Sequence, residues 1–151
     1  MIIDRNIILN RFNKMDELIE ILEELKKKSK DDFLSNYLFY LSAQRALETC
    51  INICIDIGNH ILSNNKNGKP ETYSEIFIDL AKIDIIDDEL KEKLIKMTKF
   101  RNLIGHLYME INNEIIYGIL QENLNDFILF KKQIFSKFKD QLSNQNKKQS
   151  P

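Results

Sequence analysis

Residues 33–63, FLSNYLFYLSAQRALETCINICIDIGNHILS, decide the fold of this chain. Their apolar side chains recur at steps of three and four, which is the period of an α-helix with one buried face. The recurring positions are Leu34, Tyr37, Leu38, Leu41, Leu47, Cys50, Ile51, Cys54, Ile57 and Ile61. A helix of this length measures about 45 Å at the usual rise. It predicts the spine of a helical bundle, with surface left over for a second copy of the molecule.

The same period continues on both sides of this stretch. Two prolines and four glycines in 151 residues leave long segments without helix breakers. Helix-capping residues then divide the chain into further helices. These are predicted over about 5–28, from a capping box of Thr72 and Glu75, from Asp87 or Asp88, and from Asn112 or Asn113 to about 138. The sequence therefore predicts an all-α protein, an antiparallel bundle of about five helices that dimerises.

Length and charge restrict the organisation and the partners. The chain has 151 residues and a mass of 17.9 kDa, which suits one domain. We place this domain at residues 1–140 and expect the polar segment 141–151 to be a disordered tail. The net charge of −1 provides no global positive field, so any contact with nucleic acid must come from a local patch.

The amino terminus and the cysteines indicate the compartment and the cofactors. No basic start with an apolar run and no membrane-length apolar segment is present, which predicts a cytoplasmic protein. Cys50 and Cys54 lie four residues apart on one side of a predicted helix. They are interpreted as small core residues, since a metal site that joined them to His60 would lack a fourth ligand. No cofactor and no metal are expected.

The side chains best suited to bind an anion or to transfer a proton lie together in residues 101–108, RNLIGHLY. This segment holds one of only four arginines and one of only two histidines in the chain. On an unbroken helix Arg101 lies within about 20° of Leu90 and Tyr108, so its guanidinium extends the inward apolar stripe. A charge in that position should contact a carboxylate, a solvent-filled cleft or a substrate anion.

His106 lies about 140° around the same ideal helix from Arg101. Two arrangements would bring these side chains together. Either Gly105 breaks the helix just before His106, or the side chains of two copies converge across a two-fold axis. The residues alone do not decide between these arrangements.

The pattern R-N-x-x-x-H-x-Y of residues 101–108 resembles the signature of the HEPN superfamily, and in particular of HepT-like toxins. The long second helix, the short helix after Pro70 and Tyr73, and the long final helix resemble that family as well, over about residues 5–138. The resemblance implies a homodimer with the motif in its cleft, and an RNA endonuclease that serves as the toxin of a toxin–antitoxin pair. It also implies a minimal nucleotidyltransferase antitoxin that attaches AMP to Tyr108.

Given this resemblance, Arg101, His106 and Asn102 are the catalytic candidates. Cleavage of RNA without a metal needs a group that moves the proton of a 2′-hydroxyl or leaving oxygen, and a cation beside the phosphorane. Imidazole suits the first task and guanidinium the second. Asn102 can bind a phosphate oxygen or orient the imidazole. RNA would be the substrate, because DNA lacks the 2′-hydroxyl.

Four charged residues outside the motif are secondary candidates. Lys96 and Lys99 are close enough in sequence to guide RNA to the motif. Arg45 and Glu48 can pair locally, or they can support the cleft from behind the catalytic groups.

Purely structural roles are the alternatives for the residues of this motif. Arg101 can form a structural ion pair, His106 can be a surface imidazole, and Tyr108 can be a packed aromatic with a wet hydroxyl. The alternative function is a non-catalytic HEPN-type protein that binds a nucleotidyltransferase or presents a substrate to it. A purely structural bundle is a third possibility.

Overall fold

The computed structural model describes residues 1–64, 68–104 and 112–143. Every regular element within these ranges is an α-helix. The helices are α1 (Arg5–Lys26), α2 (Lys30–Ser35), α3 (Tyr37–Leu62), α4 (Tyr73–Lys82), α5 (Asp88–Ile104), α6 (Asn113–Glu122), α7 (Leu124–Lys137) and α8 (Lys139–Leu142). The predicted all-α fold is therefore confirmed.

Helix α3 is the spine of the bundle. It contacts α1, α2, α4, α5, α6 and α7. Its buried side chains belong to a single hydrophobic core that includes residues from Ile3 to Leu142. The period-3.6 pattern of residues 33–63 thus identified the central element, because a helix with neighbours on most sides must carry a wide apolar face.

The predicted start of this long helix was wrong. Asn36 interrupts it with an extended backbone (φ −115°, ψ 106°), and its Oδ1 atom accepts a hydrogen bond from the backbone N–H of Leu38 at 3.0 Å. The preceding residues form the separate helix α2, which buries Phe33 in the core. Asparagine is a favoured N-cap because its side chain replaces a missing backbone partner, and here that cap divides the segment.

The predicted final helix is likewise divided, into α6, α7 and α8. Its start is confirmed, since the Oδ1 atom of Asn112 accepts from the N–H of Glu114 at 3.0 Å. The divisions fall at Asn123 (φ −119°, ψ 0°) and at Phe138 (φ −112°, ψ 32°). The bundle therefore has eight helical segments in the described ranges, whereas about five were predicted.

The caps that position the centre of the molecule agree with the prediction. The Oγ1 atom of Thr72 accepts from the N–H of Glu75 at 3.2 Å, and this starts α4. The Oδ1 atom of Asp87 accepts from the N–H of Leu90 at 2.7 Å, and this starts α5. Both satisfy backbone donors that a helix start leaves without partners.

Helices α3 and α4 approach closely at Gly58. A Cβ atom at this position would lie 2.5 Å from the Cγ2 atom of Ile76. The start of α4 is also linked to α5, because the hydroxyls of Ser74 and Thr98 lie 3.3 Å apart. These two contacts place the first turn of α4 beside both α3 and α5.

The two ends of the described chain pack together. The Oε1 atom of Gln141 accepts from the N–H of Ile3 at 3.0 Å, and the side chain of Leu142 is buried. Gln141 and Leu142, the first residues of the predicted tail, thus lie on the bundle, and the boundary at residue 140 and the disordered tail stay predictions. Residues 144–151 lie outside the described ranges. In the part of the chain that is described, none of the helices has the length and apolarity to cross a membrane.

Candidate active site

Arg101 lies in the last turn of α5, where α3, α4 and α5 meet. Its Nε–H donates to the Oδ1 atom of Asn52 on α3 at 3.0 Å. Its guanidinium carbon lies 5.4 Å from the centroid of the Tyr73 ring at the start of α4. The residue is half-buried. Two helices thus hold one cation through a hydrogen bond and a cation–π contact.

The charge of Arg101 is not balanced by a carboxylate within the described residues. No Asp or Glu in those ranges lies within 4.0 Å of the guanidinium, and no residue there accepts a hydrogen bond from its Nη atoms. Within the described ranges, the partners of the guanidinium are therefore the side-chain amide of Asn52 and the ring of Tyr73. A planar fork of N–H donors is well suited to a phosphate group.

The other described residues near the end of α5 point to different sides. Asn102 is exposed, and so are Lys96 and Lys99. The two lysines lie about 140° or more around the helix from Arg101. The structure therefore does not place them beside the guanidinium, and their proposed part in guiding RNA stays a prediction.

The rest of the motif lies outside the described residues. Gly105, His106 and Tyr108 all belong to the interval 105–111. The predicted break at Gly105 and the convergence of His106 with Arg101 therefore stay predictions.

Arg45 and Glu48 form the predicted local pair, with Nη1 of Arg45 3.6 Å from Oε2 of Glu48. The arginine side chain is exposed, whereas that of the glutamate is mostly buried. Among the described contacts, neither residue forms a hydrogen bond or ion pair with Arg101. Their role in supporting the cleft stays a prediction.

Asn52 was missed by the sequence interpretation, although a signal for it exists. It is a polar residue within the apolar run Cys-Ile-Asn-Ile-Cys-Ile at residues 50–55. Tyr73 was noted only as part of a helix start. A polar side chain that interrupts a core-forming run often has a specific partner, because burial of an unpaired amide is costly.

Cys50 and Cys54 are core residues, as predicted. Both side chains are buried. Burial raises the pKa of the Cys50 thiol to about 12 and raises that of Cys54 as well. Neither thiol is therefore a ready nucleophile or metal ligand at neutral pH. Within the described ranges, no group of three or more His, Cys, Asp or Glu residues is arranged to hold a metal ion.

Residues 15–134 match the family model described as Ribonuclease HepT-like. The chain belongs to this family. The matched range contains Asn52, Tyr73 and Arg101 as well as the whole of the motif at 101–108.

Two characterised HepT proteins are similar to this chain over most of their length. A tRNA nuclease HepT from Aphanizomenon flos-aquae is 32% identical over 130 residues, which cover 86% of this chain and 88% of the relative. An mRNA nuclease HepT from Shewanella oneidensis is 31% identical over 128 residues, which cover 83% of this chain and 93% of the relative.

A solved structure shares both the fold and part of the sequence. It contains the tri-AMPylated HEPN toxin of Shewanella oneidensis in complex with an MNT antitoxin. The TM-score is 0.80 at 28% identity, over 88% of this chain and 99% of that toxin chain. The helical arrangement described above is therefore the arrangement of a HEPN toxin.

Proposed function

We propose that this HepT-like protein is an RNA endonuclease and the toxin of a toxin–antitoxin pair. The observation that carries the proposal is the state of Arg101, a half-buried cation that is held in place but not neutralised by its described partners. The nuclease names of the relatives and the toxin–antitoxin complex formed by the structural neighbour support it.

The proposed mechanism needs no metal ion. Arg101 stabilises the negative charge that builds on the phosphorane, and His106 transfers the proton of the 2′-hydroxyl or of the leaving oxygen. Asn102 binds a phosphate oxygen or orients the imidazole. The 2′-oxygen attacks phosphorus and the 5′-oxygen leaves, so the products carry a 2′,3′-cyclic phosphate and a 5′-hydroxyl.

We further propose that the active species is a homodimer. On an ideal helix Arg101 and His106 lie about 140° apart, and pairing across a two-fold axis brings the motifs of two copies together. An exposed apolar patch on the first turns of α3 supports a second copy, since large apolar patches on a small protein indicate an interface. It consists of Tyr37 and Leu38, each 61% exposed, and Leu41, 52% exposed.

The proposed partner is a minimal nucleotidyltransferase that attaches AMP to Tyr108. Each AMP group would add bulk and negative charge next to Arg101 and would repel an RNA phosphate. The AMPylated state of the structurally similar HEPN toxin from Shewanella oneidensis supports this step. The alternative is a non-catalytic partner of the nucleotidyltransferase, which the net charge of −1 mildly favours.

The nuclease proposal is tested with purified protein, structured RNA and excess EDTA. We expect cleavage by the wild type and a loss of about 10²–10³-fold for Arg101→Ala and for His106→Ala. The control is Lys132→Ala, which removes an exposed cation from α7. Wild-type protein that leaves RNA intact, or Arg101→Ala protein that cleaves at the wild-type rate, would support the non-catalytic alternative.

Mass spectrometry tests the modification after co-expression with the proposed nucleotidyltransferase partner. We expect added mass in multiples of AMP, and we expect Tyr108→Phe to abolish it. Tyr37→Phe removes an exposed phenol elsewhere and should leave the modification unchanged. The same added mass on both variants would exclude Tyr108 as the site.

A further inference from the structure

A groove runs between α1 and α3 and reaches Asn52, the hydrogen-bond partner of Arg101. It consists of two adjoining depressions, of about 240 Å³ and about 600 Å³, which share Arg11 and Asp56 in their walls. The smaller depression reaches Asn52, and the larger one reaches Lys69 in the segment before α4. We call this continuous depression the α1–α3 groove.

The floor of the groove is a polar stripe on α3. Its members recur at steps of three and four, so they share one side of the helix. They are Thr49, Asn52, Asp56, Asn59 and Ser63. From Asn52 to Ser63 the stripe extends about 16 Å at the helical rise. This is the length of a short run of nucleotides, and amide and hydroxyl groups can hydrogen-bond to sugars and base edges.

The walls of the groove are positively charged, in contrast to the whole chain. Arg11, Lys14 and Lys69 line it, and Asp56 is the acidic residue among the described lining residues. The balance of these four charges is +2, whereas the chain carries −1. The groove therefore supplies the local positive patch that a weakly acidic protein needs to bind a polyanion.

The ion pair inside the groove is a weak one. The Nε atom of Arg11 lies 3.4 Å from the Oδ2 atom of Asp56, and the two side chains are 48% and 54% exposed. Pairs this exposed contribute little to stability, so a phosphate can replace the carboxylate at low cost.

One end of the groove is joined directly to the proposed catalytic cation. Asn52 lines the groove and accepts the hydrogen bond from Arg101 at 3.0 Å. A strand in the groove would therefore contact the residue that holds the guanidinium in place. Lys96 and Lys99, in contrast, lie on other faces of α5 than Arg101.

We propose that the α1–α3 groove binds the single-stranded RNA that flanks the cleavage site, with its phosphates on Arg11, Lys14 and Lys69. This inference rests on the proposed ribonuclease function and adds the path by which the substrate reaches Arg101. Charged contacts of this kind bind the backbone without reading sequence.

Salt-dependent binding tests the groove separately from catalysis. A fluorescent single-stranded RNA oligomer is titrated with His106→Ala protein by anisotropy at several salt concentrations. In that background the triple variant Arg11→Gln, Lys14→Gln, Lys69→Gln should raise Kd at least tenfold. It should also reduce the slope of log K against log salt by about 2, which is about 0.7 for each lost phosphate contact.

Two single variants complete the test. Lys132→Gln, on α7, is the matched control and should leave Kd and slope within twofold of the parent. Asp56→Asn removes the groove carboxylate and should tighten binding several-fold. Circular dichroism and urea unfolding check that each variant keeps its fold.

The results distinguish a failure of the groove proposal from a failure of the nuclease proposal. The groove proposal would be overturned if the triple variant bound RNA as well as the Lys132→Gln control does. It would also be overturned if the double variant Lys96→Gln, Lys99→Gln lost all affinity for RNA while the triple variant kept it. If the wild type still cleaves RNA in either case, the nuclease proposal stands alone. Wild-type protein that neither binds nor cleaves RNA would overturn both proposals.

Discussion

The Nε–H of Arg101 donates to the Oδ1 atom of Asn52 across 3.0 Å, so a neutral amide on α3 fixes the direction of a cation on α5. A carboxylate in place of this amide would fix the guanidinium equally well but would also neutralise it. The amide keeps the positive charge available to an anion. The pairing is therefore consistent with a group that must bind phosphate, and less so with a structural ion pair.

Asn52→Ala should reduce kcat/KM for RNA cleavage by about tenfold to a hundredfold. The reason is the loss of one hydrogen bond to a charged group, worth about 1.5–3 kcal/mol, and with it the orientation of Arg101. Asn13→Ala, an exposed asparagine on α1, is the control and should leave activity unchanged.

A double-variant cycle distinguishes positioning from a general structural effect. If Asn52 acts through Arg101, then Asn52→Ala should have little further effect in the Arg101→Ala protein. Independent, additive losses in the two backgrounds would contradict a positioning role.

Substitution of Tyr73 tests the cation–π contact with Arg101. Tyr73→Leu should lower kcat/KM by about two- to fivefold, which corresponds to the roughly 0.5–1 kcal/mol of an exposed cation–π pair. Tyr73→Phe keeps the ring and should retain the activity of the wild type. Equal losses in both variants would assign the effect to the hydroxyl and not to the ring.

Gly58→Ala should destabilise the bundle by about 1–2 kcal/mol in urea unfolding. The new Cβ would lie 2.5 Å from the β-branched side chain of Ile76, and overpacking outweighs the helix propensity gained. Gly118→Ala on α6 is the matched control, because no described atom other than those of its chain neighbours and of its own helix backbone lies within 4 Å of the added Cβ. It should stabilise by about 0.5–1 kcal/mol. A Gly58→Ala protein that is as stable as the wild type, or more stable, would show that α3 and α4 do not pack this closely.

Asp126 makes stability depend on pH. Its side chain is buried in α7, and desolvation raises the pKa of its carboxyl above the ordinary 3.8, although Asn123 and Lys93 partly oppose this. The folded state therefore holds the proton more tightly than the unfolded state. Wild-type stability should fall relative to Asp126→Asn as the pH rises from below 3.8 through the raised pKa, and the difference should be constant above it.

Urea unfolding of both proteins between about pH 3 and pH 7 measures this difference. Asp140→Asn changes an exposed carboxylate on α8 and is the control. A wild type that gains stability relative to Asp126→Asn on raising the pH would contradict the direction of the shift.

Most of the helices could be predicted because their signals are local. Thr72, Asp87 and Asn112 cap helices where the sequence placed the caps, and the apolar period identified α3 as the spine. The errors fell at Asn36, Asn123 and Phe138. At such positions a side chain or a changed backbone angle competes with continuation of the helix, and the two outcomes differ by only about 1 kcal/mol.

The sequence by itself determined most of the helical order and identified the motif that holds the proposed catalytic residues, Arg101 first among them. The tertiary structure decided which groups surround that guanidinium. Asn52 lies 49 residues earlier in the chain and Tyr73 lies on a third helix, and no periodicity relates either one to Arg101. Helical hydrogen bonds join residues four apart, so a short window predicts them. Contacts between helices depend on how whole faces pack, and only the folded bundle settles that.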